Sequence, residues 1–137
     1  MRGCVGALEA QRPLAEDVAA NARSAAFEDS RFTPLTLEEL ARTEIEVSLL
    51  SAPKSVAFDD HADLLRKLRP GVDGVILEQA EEGRRATFLP QVWEDLADPD
   101  EFIARLKQKA GIAQGTDTRR CRVKRYCVLK WREAELR

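Results

Sequence analysis

Cys4 lies in the run Arg2-Gly3-Cys4-Val5-Gly6 and has the clearest capacity for covalent chemistry in this chain. A cysteine attacks as its thiolate, which needs a neighbouring base, cation or helix N-terminus. Arg2 stands two residues away, on the same face of an extended run, and could stabilise a thiolate. Gly3 and Gly6 would let a ligand approach the backbone. The same pattern also suits plain packing, because free cysteine is among the most buried residue types and glycines admit a helix against a strand. Three readings stay open for Cys4: nucleophile, wall of a ligand site, or inert core. His61, the one histidine, is a base for it only if the fold brings the two together. Three and four residues before Leu64 and Leu65, it reads first as a hydrogen-bonded, partly packed side chain.

Two further groups have the chemistry of a binding site. Phe88, Pro90, Gln91 and Trp93 combine an aromatic, a fixed turn and a side-chain amide at a strand end, which can grip a planar ligand or a peptide. The alternative is a rigid corner with Trp93 inserted into the core. Arg31, beside Phe32, could bind an anion bidentately or pair with Asp29 or Glu46.

The last stretch is basic. From Arg119 to Arg132 there are seven cations and no acid. Its period of two places Cys121, Val123, Arg125, Cys127, Leu129 and Trp131 on one face. Arg120, Arg122, Lys124, Tyr126, Val128 and Lys130 share the other. An outward face of Arg120, Arg122, Lys124, Tyr126 and Lys130 could meet phosphates and stack a base. Equally, its charge could keep an edge strand from aggregating, with the acidic stretch from Glu94 to Glu101 neutralising it. Cys121 and Cys127 are about 20 Å apart along such a strand, too far to bridge, and read as core. Arg125 on that face must find a carboxylate, reach solvent or face a site.

These residues need elements to hold them. The chain has 137 residues, 44% hydrophobic and 34% charged, with a formal net charge of −2. That is one domain or two joined subdomains with a real core, and not a bulk polycation for nucleic acid. No CxxC or HxxxH spacing suggests a metal, and no cofactor motif appears. Three cysteines without a signal sequence read as reduced thiols, so a cytoplasmic location is expected.

Residues 2–8 read as a strand. LAEDVAANARSAAF reads as an alanine-rich helix that stops at the turn-forming DSRFTP. LTLEELAR gives a helical turn, and TEIEVSLL alternates as a half-buried strand with Ile45, Val47 and Leu49 on one face. Asp59 or Asp60 caps a short helix. VILEQ and RRATFL form a hairpin with Gly83 at the bend, after a turn at RPGVDG. DPDEFIARLKQKAG is the most plainly written helix. Asp98 is its cap, Glu101 completes a capping box, and Phe102, Ile103, Leu106 and Ala110 form the buried stripe. Lys107 and Lys109 complement the dipole, and Gly111 ends it. Strands and helices alternate irregularly with hairpin-length links, so the fold class is α+β with a mainly antiparallel sheet.

In this order the motifs resemble the AMMECR domain family, also named AmmeMemoRadiSam system protein A. RGCVG is similar to the family's Leu-Arg-Gly-Cys-Ile-Gly signature, and EDSRF to its Asp-x-Arg-Phe turn. IEVSLLS is similar to its Glu-containing strand and RPGVDGVIL to its turn before a hairpin. RRATFLPQVWEDL is similar to its Thr-Phe-Leu-Pro-Gln-Val-Trp segment. The resemblance implies one AMMECR-type domain over 1–137, an α+β fold in two subdomains, and a cleft lined by the Arg-Gly-Cys strand. It also implies a family segment N-terminal to the signature, so that this chain begins inside its own fold. Arg2, Gly3, Cys4, Gly6, Arg31, Phe32, Glu46, Phe88, Pro90, Gln91 and Trp93 match the family's motifs and are the site expected here. Memo-like and radical SAM proteins are the partners implied. Binding of a small ligand is favoured over catalysis because no acid–base pair accompanies Cys4. A docking module without chemistry is the alternative, and a nucleic-acid binder the second alternative.

Overall fold

The computed structural model describes residues 2–8 and 10–136. The chain divides into two compact units, Met1–Leu49 with Leu129–Arg137, and Leu50–Val128. None of its helices is long and apolar enough to cross a membrane, among the described residues.

The first unit holds helix α1 (Leu14–Phe27), the single turn α2 (Leu37–Leu40), strand β1 (Glu46–Leu50) and its partner β6 (Val128–Arg132). Alanines make α1 a good helix but give it little to bury, and none of its described side chains is fully buried. Thr36 caps α2 with Glu39 in a complete capping box. Residues 2–7 are not a strand. The Cys4 amide donates to the Asp29 carboxylate at 2.9 Å instead of to a ladder. Gly3 lies so close to α1 that a Cβ there would overlap the Ala25 carbonyl. The glycine that suggested a strand packed by a helix is thus the contact of an irregular segment with that helix.

The second unit carries the core. Its sheet runs in the order β2 (Lys54–Ser55), β5 (Arg122–Tyr126), β3 (Gly74–Gln79), β4 (Arg84–Phe88), all antiparallel. β3 and β4 form the expected hairpin through a 3₁₀ turn closed by Gly83 at φ 64°. Helix α3 (His61–Lys67) is capped by Asp60, and α4 (Pro99–Ala110) lies against β4 and β3. Leu64, Val75, Leu77, Phe102, Ile103, Leu106 and Val123 close the core. The α4 stripe is as written in the sequence, with two differences. Asp98 accepts from the Asp100 amide, so Glu101 closes no capping box. Lys107 is buried rather than exposed at the helix end, its Nζ donating to the Thr116 carbonyl at 3.0 Å.

The basic stretch also differs from its period-two reading. The strand breaks at Cys127, and β5 lies inside its sheet, between β2 and β3, rather than at an edge. Cys121 is core, but Cys127, Leu129 and Trp131 are exposed. Tyr126 is buried, because its ring lies over Gly74 across the ladder and its hydroxyl meets Thr87 Oγ1 on β4 at 2.8 Å.

Candidate functional site

The Arg-Gly-Cys segment and the Asp29–Phe32 turn meet in the first unit. Asp29 ends the α1 region as an Asx turn, its Oδ1 accepting from the Arg31 amide at 3.1 Å. Its carboxylate also takes the Arg31 side chain bidentately, at 3.0 and 2.7 Å, and the Cys4 amide at 2.9 Å. Arg31 therefore pairs with Asp29, as the sequence allowed, and not with Glu46. Hydrogen bonds from the Arg31 side chain, then from the Cys4 and Arg31 amides, hold the Asp29 carboxyl far below the usual carboxylate range. The Arg31 guanidinium gains its proton affinity chiefly from Asp29, with a smaller contribution from the nearby Cys4.

Arg2 is held from the other side. Its Nε donates to Glu39 Oε2 at 2.6 Å, and its Nη2 reaches the Thr33 carbonyl. Its Nη1 is buried without an acceptor. Both guanidiniums lie over the Phe32 ring, Arg2 at 5.3 Å and Arg31 at 5.6 Å from its centroid. The Cys4 thiol is exposed beside them. Two cations, an aromatic and a thiol are thus gathered around one turn. Gly6 stands in open space, with nothing near enough to require a glycine. Glu46 is on β1, where it forms ion pairs with Lys130 at 3.4 Å and Arg132 at 3.3 Å.

The Phe88–Trp93 corner belongs to the second unit. Pro90 opens a 3₁₀ turn and Gln91 is exposed on it. Trp93 is in the core, its ring stacked on Phe102 at 3.7 Å and its Nε1 donating to the Asp73 carbonyl at 2.7 Å. The rigid-corner arrangement is what the indole adopts. Phe88 packs edge-on to Phe102 at 5.3 Å, under the Lys109 ammonium at 5.2 Å. His61 is also in this unit, between Thr118 Oγ1 and Asp100 Oδ1, each at 2.8 Å. Its partners are hydrogen-bonding neighbours in the second unit, and Cys4 is not among them.

The order of these motifs has a counterpart in known proteins. The model of the AMMECR1 family matches residues 1–131. The chain belongs to the AMMECR1 family. A Methanocaldococcus jannaschii protein, MJ0810, is 39% identical over 113 residues, which is 82% of this chain and 55% of that protein. A Thermofilum pendens protein is 41% identical over 113 residues, 82% of this chain and 52% of its own length. The crystal structure of the uncharacterized protein PH0010 from Pyrococcus horikoshii shares the fold. Its TM-score is 0.81 at 30% identity, covering 96% of this chain and 64% of that one. The chain spans about half the length of the curated relatives it matches.

Within this AMMECR1-family chain the basic residues do not form one continuous face. Tyr126 is inside, Arg120 is 3.8 Å from Glu81, and Lys130 is on β6 with Glu46. Glu81 and Glu46 supply these partners, rather than the Glu94–Glu101 stretch. Arg122 and Lys124 remain on β5. Arg125 meets the expected carboxylate, lying 3.9 Å from Asp73 while its Nη1 donates to the Lys67 carbonyl at 3.0 Å. Two residues went unremarked as site-builders in the sequence. Glu39 could have been found from the Thr36-Leu-Glu-Glu39 capping signature. Asp29 as the anchor of Cys4 has no local signal, since the contact spans 25 residues.

Proposed function

We propose that this AMMECR1-family chain binds a small anionic ligand or substrate at Arg2, Cys4, Arg31 and Phe32. The observation that carries the reading is the pair of guanidiniums over Phe32 beside an exposed thiol, with Arg2 Nη1 lacking an acceptor. Buried N–H groups in native proteins nearly always have a partner, so an orphan here favours an acceptor brought by a ligand. Planar guanidiniums are suited to carboxylate or phosphate oxygens. Gly3 sets the ligand-facing segment against α1. Memo-like and radical SAM proteins act beside it in this reading, on the strength of the family resemblance, and the protein's place is the cytoplasm. Calorimetric titration with inorganic phosphate and malonate tests it. Saturable binding of one of them, weakened about tenfold or more by Arg31→Gln, is expected. No heat of binding for either anion, or equal affinity in the variant, would overturn it.

A docking module is the second reading. Ile45, Leu129 and Trp131 expose large apolar surface at and beside the β1–β6 pair, which favours a protein partner on that face.

A further inference from the structure

β1 and β6 form a sheet of two strands, and a ribbon of that size is marginal on its own. Its register can be read from its ends. The Glu133 amide donates to the Ile45 carbonyl at 2.8 Å, and the Ser51 amide to the Cys127 carbonyl at 2.9 Å. These rungs make the pair antiparallel, with the backbone groups of Ile45, Val47, Leu49 and Ser51 turned towards β6. In such a ladder the residues between them turn their N–H and C=O groups the other way. Glu46, Ser48 and Leu50 thus form an outer edge, where their backbone groups meet no further strand among the described residues.

The remaining sheet edges carry the usual devices against strand addition. β2 is two residues long, follows Pro53 and carries Lys54. β4 is tied to α4 by the Lys109 ammonium on the Thr87 carbonyl at 2.9 Å, and by Arg84 on the Gly111 carbonyl. The outer side of β6 has Lys130 and Arg132. β1 reads Glu46-Val47-Ser48-Leu49-Leu50, with no lysine, arginine or proline. Its one charge, on Glu46, is already paired with Lys130 and Arg132. The edge without protection is therefore that of β1.

We infer that the β1 edge takes the β1 edge of a second copy of this chain, antiparallel about a two-fold axis at Ser48. That axis sets Ser48 against Ser48, Val47 against Leu49 and Glu46 against Leu50, so the outward groups of all three edge residues find partners. Apolar side chains meet apolar ones, and no like charges face each other. A parallel pairing would stack Glu46 on Glu46, and β6 paired with itself about Lys130 would set lysine on lysine. The product is one continuous sheet in the order β6-β1-β1-β6. The contact runs along the edge of the ribbon, not over its apolar face, and uses no residue of the Arg2–Phe32 cluster.

Sedimentation equilibrium of the chain, from dilute solution up to about 1 mM, tests the inference. The mass should rise with concentration towards twice the 15.4 kDa of one chain. Ser48 is exposed, and Ser48→Lys places two ammonium groups across the axis, so this variant should keep the single-chain mass throughout. Leu129→Lys, on the apolar face, should leave the dimer intact. In a mixture of labelled and unlabelled chains, isotope-filtered contacts should join Val47 of one copy to Leu49 of the other. A single-chain mass at about 1 mM would leave the edge to a strand from another protein and overturn the inference. A dimer that survives Ser48→Lys, or that Leu129→Lys alone abolishes, would also overturn it by placing the contact elsewhere.

Discussion

Asp29 does more than balance Arg31. One carboxylate fixes the Arg31 guanidinium, closes its own turn and pins the Cys4 amide 25 residues away. Its folded pKa lies below the unfolded value of about 3.9, so the stabilisation is complete above that pH and is lost as pH falls through the depressed folded value. Asp117, brought to about 2 first by the Arg119 side chain, contributes with the same sign over the same acid range. Asp29→Asn should therefore lower the urea midpoint at neutral pH, and the gap from the parent chain should narrow near about pH 3. A gap independent of pH would show that the carboxylate's charge is not what anchors the turn. Much of this was legible in the sequence: Asp29 before Arg31 is a turn signature and a ready ion pair. The bond to Cys4 was not, because nothing local relates residue 4 to residue 29.

Elements behave as their periodicity suggests wherever one face is buried and the other wet. α4, α3 and the β3–β4 hairpin match their sequence patterns because caps, glycine turns and apolar spacing all agree. The pattern misleads at two places. Residues 2–7 have strand-like composition, but the Cys4 amide is committed to Asp29 and Gly3 to α1. In β5, alternation puts Tyr126 with the cations, yet the bare backbone of Gly74 opposite it leaves a slot that the ring fills. Gly74→Ala should cost about 1–3 kcal/mol in urea unfolding, since the new methyl would overlap that ring. Trp93 anchors the neighbouring corner by stacking and by its bond to Asp73. Trp93→Ala should cost about 3–5 kcal/mol and Trp93→Phe about 1–2 kcal/mol, in the same measurement. An indole serving chiefly as a ligand wall would give far smaller losses.

Burial is unevenly distributed through the whole molecule. Every fully buried hydrophobic among the described residues lies between Leu64 and Tyr126, in the second unit. The first unit has the β1–β6 pair, the Thr36 capping box and ion pairs such as Arg31–Asp29, with Leu14, Phe27, Leu37 and Leu40 exposed. Amide hydrogen exchange should therefore be fastest in α1 and slowest in β3 and α4. Equal protection in the two units would contradict that division. The candidate anion site is thus placed on the less buried unit, while the Trp93 corner belongs to the well-packed one. The sequence placed all these motifs in one expected site because chain order carries no information about which unit holds each.

The most direct measurement is alkylation of Cys4 by iodoacetamide, read by peptide mass spectrometry alongside Cys127 and Cys121. Cys4 and Cys127 are exposed and Cys121 is buried, so the three thiols report one another's access. If Arg2, Arg31 and Phe32 hold a small anion beside Cys4, adding inorganic phosphate or malonate at constant ionic strength slows Cys4 saturably. Cys127 is unaffected, and Arg31→Gln abolishes the protection. A Cys4 rate that neither anion changes would contradict the assignment of an anion site to this turn.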